Sequence, residues 1–375
     1  MYCIADSLGL VSIYDTNNYC LKIHENRSKL VYPRLCQLNE FQNKHIACIQ
    51  WYPVDSGLFA LALKNKDLHL VDVNELRSCE VVPIEQGINW IAWSERAVSH
   101  NLVAVALSSK GKGAMFLIDP LIGAPSLTLD AYHSHLGVST CLWSDNKSSL
   151  LFSGGFDGRV LCWDIRKPRK PLHSFDRHRS NHDVGFYEEN YAHSGSVLSM
   201  KLSSDGQRLF TWGGAGSRTI GSLKMWSTDC GTDEDFMPVS VNFGIVNGLS
   251  NTAPIESSNP RSRDRNFTLT QEDVDLDSFD INPSNLRRNT IVPRSVRMDT
   301  TESKRNEPFD VAFVPAGKGL FSITSGLKDL DWRIEKRHHD STTACAWNDV
   351  KKELYTCSLD GNLFVWPLFP LSELQ

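Results

Sequence analysis

Leu151-Phe152-Ser153-Gly154-Gly155-Phe156-Asp157-Gly158-Arg159-Val160-Leu161-Cys162-Trp163-Asp164-Ile165-Arg166 is the stretch on which the reading of this chain turns. Leu151 and Phe152 are apolar, three small residues follow, and Phe156-Asp157-Gly158 makes a corner before the second apolar run, Val160 to Trp163. Glycine at such a corner supplies the positive φ that a tight hairpin turn needs. The stretch therefore predicts two short strands, closed off by Asp164 to Arg166. Whether the unit recurs decides the fold.

It recurs. Near the C-terminus, Leu354 to Trp366 has the same strand, an Asp360-Gly361 corner and a strand ending in Trp, preceded by His338-His339 and the run Thr343 to Trp347. Between Ala192 and Trp226 the order is His193, Val197 to Leu202, Asp205-Gly206, Arg208 to Trp212, a Gly-rich corner and Trp226. Ahead of the opening stretch, His133 or His135 precedes Ser139 to Trp143. Weaker copies lie at Ile46–Trp51, Leu58–Leu63 and Leu68–Val73, at Ile88–Trp93, Leu102–Leu107 and Ala114–Ile118, and at Phe309–Val314, Leu320–Thr324 and Asp331–Ile334. Val11–Tyr14 ends a copy cut short by the start of the chain. The spacing, about 40 to 50 residues, is that of propeller blades of four short strands. A single blade cannot bury its apolar faces alone, so blades stack and share a core.

A His, a Ser or Thr, an Asp and a Trp in each well-formed copy are placed to bridge strands by a hydrogen-bond relay. The candidates are Ser153, Asp157 and Trp163; His193, Thr211 and Trp226; and His338, Thr356, Asp360 and Trp366. They recur by repeat rather than converging on one site, so the reading is structural and not catalytic.

Composition sets the bounds. The chain has 375 residues, 41% hydrophobic and 22% charged, with a net charge of −5. This balance argues against a protein that grips bare nucleic acid through a basic face. No apolar run reaches the roughly 18 residues that span a bilayer, and Met1 to Asp6 lack the pattern of a secretory signal. The 10 cysteines form no Cys-x-x-Cys pair and read as small buried residues of a reducing compartment. The expectation is an intracellular protein, with no direct nucleic-acid or membrane contact and no cofactor.

These repeats resemble the WD-repeat propellers, which implies an all-β fold of seven blades. In that family the chain start supplies the closing strand of the last blade. Here it begins at Tyr2–Ala5, within the first blade, so the expectation is a propeller missing its N-terminal closing strands. The domain reading is blades one to five and the start of six at residues 1–245, a disordered insertion at 246–306, and the remainder of six with seven at 307–370. The insertion is rich in Ser, Thr, Asn, Asp, Arg and Pro, with a strand expected near Ser295–Met298. Its basic cluster at Arg261, Arg263 and Arg265 and its acidic cluster from Glu272 to Asp280 read as solvated loop.

The end of the opening stretch is more specific. Small residues, Asp157, an apolar residue at 160 and then Trp163-Asp164-x-Arg166 resemble the pattern of WD-repeat receptors of cullin-4 ubiquitin ligases. The resemblance implies that Asp164 and Arg166 lie at the propeller rim and meet the ligase adaptor, the damage-specific DNA-binding protein. Arginine suits such a place because its planar fork makes several directed hydrogen bonds.

Gln50 to Phe59, Leu102 to Val105, Ala192 to Gly195, Ser204-Asp205-Gly206, Val241 to Gly244, Phe313-Val314-Pro315 and Glu353-Leu354-Tyr355 extend the match. In them the chain is similar to the Cockayne syndrome group A receptors. That implies a nuclear, non-catalytic substrate receptor in transcription-coupled nucleotide excision repair, whose partners include stalled RNA polymerase II and repair factors. The given sequence carries no match to the family's N-terminal helical segment, so the expectation is either a longer protein or adaptor binding through Arg166 and its rim neighbours alone. The insertion is longer than the family's, and the second blade has Val71 and Asn65 for the usual Trp and Asp.

Gly111-Lys112-Gly113 lacks the rest of a phosphate loop and reads as a hairpin tip. His178 and His182 with Asp176 or Asp183 have no ordered scaffold for a metal, so no metal site and no active site are read. The alternative reading is a general WD-repeat scaffold without ligase coupling.

Overall fold

A computed structural model describes residues 2–6, 8–16, 18, 20–24, 27–94, 100–108, 115–129, 132–134, 136–175, 191–193, 195–203, 206–213, 219–228, 239–244, 266–268, 299–300, 310–316, 319–325, 330–336, 339, 342–348, 351, 353–359 and 361–367. For β3, β4 and β21 to β26, defined below, the backbone alone is described. Every regular element among these residues is a strand.

The strands fall into seven blade-like sheets in chain order. The first is β1 (Tyr2–Ala5), β2 (Val11–Tyr14) and β5 (Arg34–Leu38), with a separate hairpin, β3 (Cys20–His24) and β4 (Arg27–Val31), between its last two strands. The second is β6 (Ile46–Trp51), β7 (Leu58–Leu63), β8 (Asp67–Asp72) and β9 (Arg77–Pro83). The third is β10 (Ile88–Trp93), β11 (Val103–Leu107), β12 (Met115–Asp119) and β13 (Ala124–Leu129). The quoted stretch supplies the middle of the fourth, β14 (Val138–Trp143), β15 (Leu150–Gly155), β16 (Val160–Asp164) and β17 (His173–Phe175).

The fifth is β18 (Val197–Leu202), β19 (Arg208–Gly213), β20 (Thr219–Ser227) and β21 (Val239–Gly244), joined by the parallel β22 (Asn266–Thr268). The sixth is β23 (Asp299–Thr300), β24 (Asp310–Ala316), β25 (Gly319–Ser325) and β26 (Leu330–Lys336). The seventh is β27 (Thr342–Asn348), β28 (Glu353–Ser358) and β29 (Leu363–Pro367).

Val239–Gly244 pairs with Thr219–Met225 as the fourth strand of the fifth sheet, and the described strands of the sixth follow from residue 299. Its first strand is Asp299–Thr300, paired with Ala312–Phe313. Ser295–Met298 lie outside the described residues, as do both charged clusters of the insertion and Gly111-Lys112-Gly113.

Two units divide the chain: residues 1–143, 148–153 and 163–170, and residues 144–147, 154–162 and 171–375. In the first, the middle strands are buried on both faces. β11 (Val-Ala-Val-Ala-Leu) and most of β7 are apolar without alternation, as expected for strands covered on two sides. Ile91, Trp93, Val103, Val105 and Leu107 pack with Ala60, Leu68 and Val82 in one cluster, and Ile13, Leu38, Phe41, Phe59 and Val71 form another. Neighbouring sheets in this unit run alongside one another in the same sense. Trp93 N–H donates to Gln50 Oε1 (2.7 Å), Trp143 Nε1–H to the Ala92 carbonyl (3.0 Å) and Asn89 Nδ2–H to the Val138 carbonyl (2.8 Å). The C-terminal ends of β6, β10 and β14 therefore share one side.

Candidate interaction site

Ser153 and Trp163 stand across β15 and β16, where small residues leave room for an indole. Trp163 Nε1–H donates to Ser153 Oγ at 2.8 Å, and His133 Nε2 lies 2.7 Å from the same oxygen. An indole can only donate, so the hydroxyl accepts from it and the remaining proton lies between hydroxyl and imidazole. All three side chains are buried. Asp157 sits at the corner, its Oδ1 accepting from Arg159 N–H at 3.1 Å.

The same triangle recurs in the fifth sheet. Trp226 Nε1–H donates to Thr211 Oγ1 (2.8 Å), His193 Nε2 is 2.8 Å from that oxygen, and the buried Lys224 ammonium lies over the Trp226 ring. In the seventh, Trp366 Nε1–H donates to Thr356 Oγ1 at 2.9 Å, while His338 and Asp360 lie outside the described residues. In the fourth and fifth sheets the indole, the hydroxyl and the histidine meet within the sheet, so the arrangement is a clamp between strands.

The third sheet has its own version, which its sequence does not announce. Trp93 Nε1–H donates to Asn101 Oδ1 at 2.7 Å, and His100 Nε2 is 2.6 Å from the Ser148 carbonyl with its ring against Trp143.

Asp164 and Arg166 are arranged differently. Asp164 ends β16 nearly buried, with 11% of its side chain exposed, whereas that of Arg166 is 72% exposed. Arg166 Nη2–H donates to Asp164 Oδ2 (2.7 Å), Arg166 Nε–H donates to Oδ1 (2.9 Å), and the Arg166 backbone N–H donates to Oδ1 (3.0 Å). This bidentate contact holds the Asp164 carboxyl below its ordinary range, with backbone donation and nearby Lys167 adding to the effect, and raises the guanidinium. A carboxyl shifted down contributes above its unfolded value, about 3.9, and loses that contribution only as pH falls through the folded value. The pair is intact throughout the neutral and mildly acidic range. Lys167, Arg169 and Lys170 follow directly, all exposed.

Among the described residues no cluster of His, Cys, Asp and Glu could hold a metal ion; Asp176, His178, His182 and Asp183 lie outside them. No helix among the described residues is long and apolar enough to cross a membrane.

The family model for the WD domain, G-beta repeat, matches residues 125–164 and 333–367. The first match runs from β13 to the end of β16, and the second from β26 to the end of β29. WD repeat-containing protein ATCSA-1 of Arabidopsis thaliana is 27% identical over 352 residues, 87% of this chain and 73% of the relative. Among solved structures, a chain of the mitotic checkpoint complex superposes with a TM-score of 0.58 at 15% identity, covering 98% of this chain and 86% of that one. The β-propeller domain of Myceliophteria thermophila Cps50 (Swd1) superposes with a TM-score of 0.60 at 13% identity, covering 98% and 93%. None of these matches indicates an enzyme family. With sheets of antiparallel strands, repeats matched in two places and propeller neighbours along nearly its whole length, the chain has the fold of a WD-repeat β-propeller.

Proposed function

We propose that this chain is a non-catalytic substrate receptor of a cullin-4 ubiquitin ligase, serving transcription-coupled nucleotide excision repair in the nucleus. Asp164 and Arg166 engage the ligase adaptor, the damage-specific DNA-binding protein, and stalled RNA polymerase II and repair factors are the partners presented for ubiquitination. The observation that carries this reading is the Asp164–Arg166 fork. It leaves a pinned, exposed guanidinium at the end of a Trp-Asp-x-Arg strand, while the other polar groups of that motif are used inside the sheet. The name of the Arabidopsis relative, ATCSA-1, supports the same direction, since the sequence resembles the Cockayne syndrome group A receptors over most of its length.

Capture of purified adaptor by wild-type protein and by Arg166→Ala is the test. Wild type binds, and Arg166→Ala binds about tenfold or more weakly, as for a truncated interface anchor. Arg166→Lys recovers only part of the loss, because an ammonium keeps the charge without the planar fork. If wild type captures no adaptor, the ligase reading fails and a WD-repeat scaffold without ligase coupling replaces it. Cells lacking the protein fail to recover transcription after ultraviolet damage; normal recovery counts against the repair role.

A further inference from the structure

Three successive sheets end their third strand in aspartate and turn in the same way. Asp72 Oδ1 accepts from Asn74 N–H (2.7 Å), Asp119 Oδ1 from Leu121 N–H (2.9 Å) and Asp164 Oδ1 from Arg166 N–H (3.0 Å). In the third and fourth sheets the Asp carbonyl also accepts from the residue three further on, Ile122 (3.1 Å) and Lys167 (2.8 Å). The residue two after each aspartate is therefore held at the same place of its turn. Asn74, Leu121 and Arg166 are counterparts.

These turns also share a side of the first unit. β8 and β12 run in the sense of β6 and β10, two antiparallel steps away, and so end where those strands end. On the fourth sheet, Ile165 N–H donates to the Ser149 carbonyl (2.9 Å), and the adjacent Ser148 carbonyl contacts His100, which follows β10. Arg166 thus lies on the side where Leu121 lies, one sheet away.

A tip of this kind is normally polar. Here Leu121 is 88% exposed and Ile122 70%, with the backbone fixed by Asp119 and by Gly123 at φ 67°. Val54 and Leu76, on turns of the second sheet at the same side, are exposed as well. Two neighbouring aliphatic side chains on a hydrogen-bonded turn, exposed on the side of the unit where the cations of the next sheet lie, make an anchor for a partner.

We infer that Leu121 and Ile122 form the apolar half of the surface whose polar half is Arg166. The occupant is the adaptor: a protein face offering an apolar hollow for the Leu121–Ile122 tip, flanked by carboxylates or carbonyls for Arg166, Lys167, Arg169 and Lys170. Charge supports an acidic flank, since four cations fall within five residues of a chain whose net charge is −5. This inference rests on the ligase reading and adds the neighbouring sheet to it.

The test measures the affinity of purified adaptor for full-length wild type, Arg166→Ala, Leu121→Asp/Ile122→Asp and Leu121→Ser/Ile122→Ser, with thermal melting alongside. Both tip variants melt like wild type, because the substituted side chains are in water, and both bind about tenfold or more weakly. The serine pair adds no charge, so its loss reports the apolar contact itself. If Arg166→Ala weakens binding while both tip variants bind like wild type, the inference is overturned and the ligase reading stands. If wild type does not bind the adaptor, both fall together.

Discussion

In the fourth sheet the corner between the second and third strands is closed by Gly158 at φ 83°; in the second sheet the same place is taken by Lys66 at φ 127°. The hydrogen bonding around them corresponds. Gly158 N–H donates to the Gly155 carbonyl and Lys66 N–H to that of Leu63, while the next inner strand's approach donates back, His193 N–H to the Gly158 carbonyl (2.9 Å) and Ile84 N–H to that of Lys66 (2.6 Å). Inside, the fourth sheet is clamped by His133, Ser153 and Trp163, whereas the second puts Val71, fully buried, in an aliphatic cluster with Phe59 and Leu61. One backbone plan tolerates two kinds of fastening. In the fourth sheet an indole takes part in the polar fastening; in the second, apolar packing at Val71 stands beside a polar contact of His69, Ser78 and Glu40 that uses no indole.

The comparison breaks hardest at Gly158. A Cβ there would lie 2.3 Å from the His193 carbonyl oxygen and 2.8 Å from that of Gly195, on a backbone that L-residues avoid. Gly158→Ala is expected to cost about 3 kcal/mol or more, combining the left-handed penalty with forced backbone movement. Urea denaturation reads it, and a loss under 1 kcal/mol would show that the corner can yield.

Next is Ser153→Ala, which takes from Trp163 Nε1 and His133 Nε2 the oxygen they share. The loss expected is about 2–4 kcal/mol, set by stranding buried polar groups. Thr211→Val does the same to Trp226 and His193 at constant volume, and a neutral result in both would refute the clamp.

At Lys66 the sign reverses. Lys66→Gly relieves a backbone held in the glycine region and should raise stability by about 1 kcal/mol, against the usual entropy cost of glycine. A drop in the melting temperature would mean that the lysine side chain supplies more than its backbone loses.

The smallest effect is a pH slope. His69 is buried in the second sheet, with its Nδ1 3.0 Å from Ser78 Oγ and its ring edge-on to Phe41. Burial lowers its pKa, with Lys44 adding to the effect and Asp67 and Glu40 opposing it. The unfolded chain then binds the proton more readily, so stability falls as pH drops below about 6.5 toward the folded value. His69→Leu should flatten that part of the stability profile, and an unchanged slope would place the proton elsewhere.

The clamps were legible because their parts are chemically rare and recur in order: a small hydroxyl residue facing an indole, with a histidine upstream, has few other uses in a repeated strand pair. Val71 marked the second sheet as lacking its indole just as plainly. Its substitute, Phe41 packed on His69 and Glu40 bonded to Ser78 Oγ (2.7 Å), joins residues of no sequence pattern. The outer strand Val239–Gly244 carries no such signature, because alternation marks a strand without naming its neighbour. Leu121 escaped for a related reason. The sequence reading ends its strand at Ile118, and nothing in Asp119-Pro120-Leu121-Ile122 as letters says that the two aliphatic residues face water; the hydrogen bonds of Asp119 set that turn.

The Asp164–Arg166 fork has one more consequence, in the timing of ordering. A free arginine on a surface samples many rotamers, and a partner that captures it must freeze them at the moment of association. Here the carboxylate of Asp164 restricts that freedom when the strand folds, before any partner arrives. For a partner of the kind proposed, the guanidinium edge left outward is then already aimed, so binding there would lose less disorder and depend more on whether the partner's acceptors stand in the right place.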